Sequence, residues 1–278
     1  MKTKNSTNAV LTGVMAALCI AYIMPVIIVF INSFKGQFFI NSSPFSLPLG
    51  QMFAGISNYT RGIEKTDFIS AFFYSVFITV GSVGVILLLT SMTAWYITRI
   101  KGWFTSFLYY LFVFSMIIPF QMVMFTTVKT ANFLRLDNPL GIILIYTGFG
   151  AGLSVFMFSG FIKAIPKSME EAAMIDGCNP IQTYFRVVFP LLKPTMISVG
   201  VLETMWIWND YLLPTLVMDI KEYRTIPMLI QYFRGSYGRV EIGPMMACIV
   251  MTILPVVILY LLGQKYIIKG VLAGAVKG

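Results

Sequence analysis

The sequence predicts an all-α membrane protein that crosses the bilayer six times. Of its 278 residues, 58% are hydrophobic and only 11% are charged, a composition typical of polytopic membrane proteins and not of soluble domains. A helix needs about 20 apolar residues to cross the hydrocarbon core. The stretches that meet this requirement lie near residues 10–32, 70–98, 103–128, 139–162, 195–218 and 243–268. We expect one membrane domain over residues 1–278, because no linker or internal repeat marks a second domain.

A polar segment at residues 163–194 separates the fourth predicted span from the fifth. Within it, Ser168 and Glu171 have the spacing of a capping box, which predicts a short helix that starts at Met169. Gly177 can adopt the left-handed conformation that ends such a helix. A capped helix outside the bilayer is suited to contact another protein, although an ordinary connecting loop is an equal alternative from these residues alone.

A second short helix is predicted directly after the first. Asn179 is a good N-cap residue, and Pro180 occupies the first helical position, where proline is tolerated. Pro190 and Pro194 are expected to close this helix. The sequence of this segment therefore predicts two short helices joined by a sharp bend.

The same segment resembles the EAA signature of permease subunits in binding-protein-dependent ABC importers, E-A-A-x3-G-x9-I-x-L-P. The matching residues are Glu171, Ala172, Ala173, Gly177, Val187, Val188, Phe189 and Pro190. The chain departs from the signature only at Val187 and Phe189, and both are apolar replacements. Residues 208–214 and 264–278 also resemble the carbohydrate-uptake branch, close to the second permease of maltose-type systems.

This resemblance implies a MetI-like permease fold in a bacterial or archaeal cell (inner) membrane, with both termini in the cytoplasm. It also implies a set of partners: a second permease that completes a heterodimer, two ATPase subunits, an extracytoplasmic solute-binding protein and a sugar substrate. Eleven of the 20 Lys and Arg residues fall on the side of the termini and nine on the other, a small excess in the direction expected for the cytoplasm. The net charge of +9 is spread over membrane flanks, which favours lipid head groups over nucleic acid as its partner.

The family resemblance also implies which residues couple transport to ATP hydrolysis. In that family the polar segment is a coupling helix seated in a cleft of the ATPase. The corresponding residues of this chain are Glu170, Glu171, Ala172, Ala173, Asp176 and Gly177.

The sequence offers little for enzymatic chemistry. It contains no histidine, which excludes catalysis and metal binding by imidazole. Its three cysteines, Cys19, Cys178 and Cys248, lack the spacing of metal ligands or of a disulfide framework. A Walker A motif is also missing, so we expect ATP and Mg²⁺ to be used by partner subunits and no cofactor to be bound by this chain.

The fifth predicted span carries polar residues that need an explanation. Glu203, Trp206 and Asp210 recur at i, i+3 and i+7 on one helical face, with Asn209 beside them. Acids facing lipid are costly, so this face is expected to point into protein or a water-filled cavity. A tryptophan beside hydrogen-bonding acids suits a sugar path. Equally, Ser, Thr or Tyr side chains on neighbouring helices can satisfy the acids in a purely structural role.

Two other functions remain open from the residues alone. An ion-coupled secondary transporter would use Glu203 and Asp210 as a cation or proton relay. A membrane scaffold without transport is less consistent with acids inside a span.

Two further segments are expected to contact partners. An aromatic, glycine-containing loop between the fifth and sixth spans resembles the loop that reaches toward the solute-binding protein in maltose-type importers. Its residues are Tyr232, Phe233, Arg234, Gly235, Ser236, Tyr237 and Gly238. The tail, with Gly270, Gly274 and Gly278, is expected to lie against a partner subunit.

Overall fold

The computed structural model describes the backbone of residues 2–235 and 241–275, and the side chains of residue 8 and of residues 10–231 and 241–264. This part of the chain is helical and contains no strand beyond an isolated bridge between Lys35 and Phe53. Its α-helices are, in order, α1 (Lys2–Ser33), α2 (Gln37–Ser42), α3 (Ser57–Thr66), α4 (Phe68–Arg99), α5 (Trp103–Ser115), α6 (Phe120–Phe133), α7 (Pro139–Ile162), α8 (Ser168–Ile175), α9 (Pro180–Thr183), α10 (Phe189–Leu191), α11 (Lys193–Asn209), α12 (Leu212–Val217), α13 (Ile226–Gly235) and α14 (Ile242–Ala275). The all-α class is confirmed.

Four of the described helices are long and apolar enough to cross a membrane without interruption, and they belong to α1, α4, α7 and α14. Two bent pairs also qualify by length and composition. The first joins α5 to α6 at 105°, and the second joins the helical run Pro180–Leu191 to α11 at 75°. The predicted total of six spans is reached when each bent pair counts as one span.

The third predicted span is not a continuous helix. Pro119 is the N-cap of α6 and has an extended backbone, with ψ of 137°. Pro119 disfavours helical geometry at Ile118 and lacks the N–H that would bond to the Ser115 carbonyl, so α5 does not continue through this position and the chain turns. The predicted span near 103–128 is therefore interrupted just before Pro119, and its two helices are bent by 105°.

The fifth predicted span, 195–218, is also broken. Helix α11 ends at Asn209, and Asp210 has an extended backbone with ψ of 122°. The Asp210 side chain then accepts hydrogen bonds from the backbone N–H groups of Leu212 and Leu213, at 2.9 and 3.4 Å. The Asp210 side chain thus bonds to the first turn of α12, and α11 ends before Asp210, so the prediction that it projects from the same helical face as Glu203 was wrong.

The chain forms two compact units, and each is assembled from two separate stretches of sequence. The first comprises Met1–Ile69 and Leu229–Pro255. Within it, a Cβ at Gly62 would lie 2.9 Å from Cys248 Sγ, so α3 and α14 approach closely at this point. Asn58 secures the chain after α1 by donating to the carbonyls of Ser33 and Lys35, both at 2.8 Å.

The same unit buries a lysine just beyond α1. Lys35 is fully buried, and its Nζ donates to the carbonyls of Ser43 and Pro44 at 2.9 and 3.3 Å. Burial disfavours the charged ammonium and lowers the pKa of Lys35. The lysine ties α1 to the loop that follows α2.

The second unit comprises Ser70–Met228 and Val256–Gly278, and it contains both candidate functional regions. Its centre is α7, which begins at the Asn138 cap with Pro139 in the first turn and packs against α5 and α11. Tyr146, Phe158 and Ile162 of α7 are fully buried. Gly152 allows this close packing. A Cβ at this position would lie 2.7 Å from the Phe112 carbonyl oxygen of α5, which is too close for a larger residue to fit without a shift.

Candidate functional site

The first short helix of the polar segment, α8, begins one residue earlier than the sequence predicts. The N–H groups of Glu170 and Glu171 both bond to the Lys167 carbonyl, at 2.9 and 3.0 Å, so the first helical turn already includes Ser168. The N-cap is Lys167, and no side chain caps the helix. The predicted Ser168–Glu171 capping box was wrong, because Ser168 lies inside the helix and not at its cap.

The end of α8 follows the prediction. Gly177 has a φ of +89°, in the left-handed region that favours glycine. The N–H of Cys178 bonds to the Ala173 carbonyl at 3.0 Å, and that of Gly177 to the Met174 carbonyl at 3.1 Å. These two bonds form a Schellman motif, which satisfies the last carbonyls of the helix and fixes its direction.

The second short helix also starts as predicted. Asn179 Oδ1 accepts from the Gln182 N–H at 2.9 Å, and Gln182 Oε1 accepts from the Asn179 N–H at 3.0 Å, a complete capping box. The prediction that Pro190 closes this helix was wrong. A π-helical turn, Tyr184–Val188, precedes Pro190 and changes the hydrogen-bond register, so the missing N–H of proline is accommodated and the helix ends at Leu191.

Glu170 holds α8 to the end of α4. Its carboxylate accepts from Arg99 Nε at 2.8 Å and from Trp95 Nε1 at 2.9 Å, and it forms an ion pair with Arg99 Nη2 at 2.6 Å. Arg99 also donates to the Ile165 carbonyl at 3.0 Å. Glu170 is only 5% exposed. We call the Trp95, Arg99 and Glu170 side chains the α8 anchor.

A second contact secures the polar segment to α4 one turn away. Tyr184 is fully buried, and its hydroxyl lies 2.7 Å from Ser91 Oγ. Its ring packs against Trp95 with centroids 5.5 Å apart. The two short helices are therefore fixed to the same end of α4 at two points.

The rest of the surface of the polar segment is exposed and contains apolar residues. Met169, Met174, Ile175 and Ile181 are between 44% and 86% exposed. Of the residues predicted to couple to an ATPase, Glu171, Ala172, Asp176 and Gly177 lie on the surface and Ala173 is half-buried, whereas Glu170 points into the chain. Five of the six predicted residues are thus at least partly exposed, and Glu170 is buried.

Glu203 is buried at the contact between α7 and α11. It is 2% exposed, and its Oε1 accepts from Ser154 Oγ at 3.0 Å. Gly150 leaves room for the carboxylate, since a Cβ there would lie 2.9 Å from Glu203 Oε2. The structural alternative, in which a serine on a neighbouring helix satisfies the acid, describes Glu203 well.

Trp206 and Asp210 meet through a residue that the sequence analysis missed. The Tyr146 hydroxyl donates to Asp210 Oδ2 at 3.0 Å, and the Tyr146 ring lies edge-on to Trp206 with centroids 5.4 Å apart. Trp206 remains 40% exposed, and Asn209 beside it is exposed. The signal for Tyr146 was its four-residue spacing with Gly150 and Ser154, which puts small and polar residues on one face of an apolar helix.

The loop predicted to contact a binding protein lies mostly outside the described residues. Its backbone is helical as far as Gly235 in α13, whereas residues 236–238 and the side chains of 232–235 lie outside the described part. The same holds for residue 278 and for the side chains of the glycine-containing tail.

Comparison with known proteins identifies the family. Residues 86–272 match the model of the "binding-protein-dependent transport system inner membrane component" family. The chain is 39% identical to the probable starch degradation products transport system permease protein AmyC of Thermoanaerobacterium thermosulfurigenes, over the full length of both. It is 31% identical to the multiple sugar-binding transport system permease protein MsmG of Streptococcus mutans, over 93% of each chain.

A solved structure supports the fold. A chain from a bacterial ABC transporter that imports alginate superposes with a TM-score of 0.81 at 24% identity, covering 95% of this chain and 96% of that one. The family model matches more than half of the present sequence. The protein therefore belongs to the inner membrane components of binding-protein-dependent transport systems, and it is a transport subunit and not an enzyme.

Proposed function

We propose that this chain is the permease subunit of an ATP-driven sugar importer. It forms the translocation path together with a second permease, receives substrate from an extracytoplasmic binding protein, and contacts an ATPase subunit through the exposed face of α8. In this proposal the polar segment and both termini face the cytoplasm. The ion-coupled alternative is not favoured by the family to which the chain belongs.

The observation that carries the coupling role is the two-sided character of α8. Glu170 fixes the helix to α4 by a buried ion pair, and the rest of the helix surface presents methionine and isoleucine side chains to solvent. Exposed apolar residues grouped on a polar segment are typical of a protein-binding surface. Because α8 is attached rigidly to α4, a movement of a bound partner is transmitted to α4 and does not only displace α8.

Glu170 has a positioning role in this proposal. Its carboxylate is engaged by Arg99 and Trp95, so it orients α8 and does not itself contact the ATPase. The partner surface consists instead of Glu171, Ala172 and the apolar residues around them.

The sugar assignment rests on the names of the relatives and on the Trp206 region. The two relatives described above are named for starch degradation products and for multiple sugars. Exposed Trp206 offers a flat apolar face, and Asn209 and Asp210 offer polar groups next to it. A pyranose ring can stack its apolar C–H face on the tryptophan and direct its hydroxyl groups toward the polar side chains.

The coupling role is tested by reversing charge on the exposed face. In Glu171→Lys we expect recovery of the ATPase subunit with the purified chain, and sugar uptake, to fall at least tenfold. Ile175→Asp removes apolar contact from the same face and should act alike. Glu64→Lys and Ile220→Asp are matched controls, because both residues are exposed elsewhere on the chain. Wild-type ATPase recovery and uptake in both α8 variants would remove the coupling role.

The energy source needs a separate experiment. Uptake by the reconstituted importer should stop when the ATPase subunit is inactivated and persist when an ionophore collapses the ion gradients. Uptake that instead follows the ion gradient would restore the secondary-transporter alternative.

A further inference from the structure

A concave site lies at the turn between α4 and α5, and it shares only Lys163 with the polar segment described above. It is an open cavity of about 380 Å³ lined by the last turn of α4, the first two turns of α5 and the end of α7. The turn consists of three residues, 100–102, and Trp103 directly after it is 81% exposed. A short turn between apolar helices with an exposed tryptophan is typical of a membrane–water interface.

The cavity is positively charged. Lys101 and Lys163 line it, and none of the described residues in its wall is acidic. The Lys163 ammonium lies 5.3 Å from the centre of the Tyr109 ring, a cation–π contact that positions it and leaves its N–H groups available. Two lysines without acidic neighbours favour an anionic ligand.

The start of α5 adds backbone donors to the same wall. Helix α5 has 13 residues, and its N-cap is Gly102, which supplies no side-chain cap. The first N–H groups of a helix have no carbonyl partner within it, and they favour negative charge. Both Gly102 and Thr105 line the cavity, which places this helix end at its edge.

Two buried hydroxyl groups in the wall point independently to a ligand. Ser159 is 1% exposed, and its Oγ has no hydrogen-bond partner among the described residues. The Oγ1 of Thr98, which also lines the cavity, has none either. A buried polar atom left without a partner costs about 1–3 kcal/mol, so most such atoms in proteins are paired. Hydroxyl donors, lysine ammonium groups and helix N–H groups together match the oxygen atoms of a phosphate.

We propose that this cavity binds a phosphate group, carried either by an anionic lipid headgroup or by a soluble phosphate. Lysines bind phosphate as point charges, and basic pockets between membrane helices are suited to lipid headgroups. Bound phosphate bridges the end of α7 to the turn between α4 and α5. The proposal is independent of the coupling role, because none of the exposed α8 residues lines the cavity.

The test uses the importer complex purified through this chain and compares two sources of phosphate. For the lipid source, native mass spectrometry counts phosphatidylglycerol and phosphatidylcholine retained from nanodiscs that contain both. For the soluble source, inorganic phosphate is titrated into phosphatidylcholine nanodiscs while the unfolding midpoint is recorded.

Three variants separate the cavity from general surface charge. The double variant Lys101→Ala/Lys163→Ala removes both ammonium groups, and Ser159→Ala removes a single buried hydroxyl without changing charge. The control Lys129→Ala/Lys193→Ala removes two exposed lysines that lie outside the cavity.

We expect the wild type to bind phosphate in at least one arm. Binding should fall at least fivefold in Lys101→Ala/Lys163→Ala and by a smaller factor in Ser159→Ala, with no change in the control. A response confined to phosphatidylglycerol assigns the headgroup, and a response to inorganic phosphate assigns a soluble ligand. The proposal is overturned if the wild type responds in neither arm, or if the control loses as much binding as the cavity variants. If the double lysine variant fails to fold, wild-type binding in Ser159→Ala overturns it.

Discussion

Two buried glutamates in the second unit are held in different ways. Glu170 is 5% exposed and is satisfied by a guanidinium and an indole, whereas Glu203 is 2% exposed and has one serine hydroxyl as its partner. Burying a carboxylate is expensive unless the charge is paired and hydrogen-bonded. Glu170 meets that condition fully, and Glu203 meets it only in part.

This difference indicates how each of the two helix contacts is stabilised. A buried ion pair with several directional bonds has one good geometry, so the α8 anchor fixes the polar segment to α4. At Glu203 the contact between α7 and α11 depends on small residues such as Gly150 and Ser154, which allow the helices to approach. The first region is held by charge and the second by shape, and the following predictions test that distinction.

The largest effect is expected from Arg99→Ala. This change leaves Glu170 buried without a cation, and removing one partner of a buried pair typically costs about 3–5 kcal/mol. The unfolding midpoint should fall clearly, and uptake should fall with it because α8 loses its fixed position. Arg99→Lys keeps the charge but loses the Nε bond, so it should retain part of the stability.

The measurement is thermal unfolding of the purified chain, with sugar uptake recorded in the importer reconstituted with the same variant. Lys129→Ala is the control, since it removes an exposed cation that lies outside both the α8 anchor and the cavity. An unchanged midpoint in Arg99→Ala would show that charge does not hold this region.

The sequence predicted the end of α8 and the start of α9 but not the α8 anchor. Gly177 and Asn179 act through bonds to residues within a few positions, so local rules suffice for them. Glu170 and Arg99 are 71 residues apart, and nothing local distinguishes inward Glu170 from outward Glu171. The sequence analysis placed both acids in the same coupling surface.

The same limit explains the broken spans. Hydropathy measures apolar length, and it does not detect a turn where the chain stays apolar, as before Pro119. Asp210 was recognised as a polar residue, but its bonds to the first turn of α12 and to Tyr146 of α7 depend on a break in the helix that the sequence did not show. Sequence periodicity does not predict the contacts between helices that are far apart in the sequence.

The next effect concerns shape at the Glu203 contact. In Gly150→Ala the added Cβ would lie 2.8 Å from Ile86 Cδ1 and 2.9 Å from Glu203 Oε2. Overpacking of this kind typically costs about 1–3 kcal/mol, so the unfolding midpoint should fall. Gly148→Ala is the matched control on α7, because a Cβ there meets nothing within 4 Å. Equal midpoints in the two variants would contradict a contact held by shape.

A smaller effect is expected at the exposed end of α11. Trp206→Ala should raise the half-saturating sugar concentration about tenfold, equivalent to about 1.4 kcal/mol, because the sugar loses its aromatic surface. Asp210→Asn should change substrate preference while the complex still assembles. Uptake kinetics with several sugars give the readout, and co-purification of subunits gives the control. Loss of assembly together with uptake would favour a structural role for this end, and unchanged kinetics in both variants would exclude it from the path.

The smallest effect is expected from Glu203→Gln, and it gives the sharpest test of the comparison. Glutamine keeps an oxygen acceptor for Ser154 and removes a charge that has no cationic partner among the described contacts of Glu203. The cost should stay within about 1 kcal/mol, the usual range for one neutral hydrogen bond. Glu170→Gln is the counterpart, since the same chemical change there removes one half of an ion pair and leaves Arg99 without its counter-charge. Thermal unfolding of the two variants side by side should therefore show a clear loss for Glu170→Gln and little change for Glu203→Gln. A reversed order would mean that charge, and not shape, maintains the contact between α7 and α11.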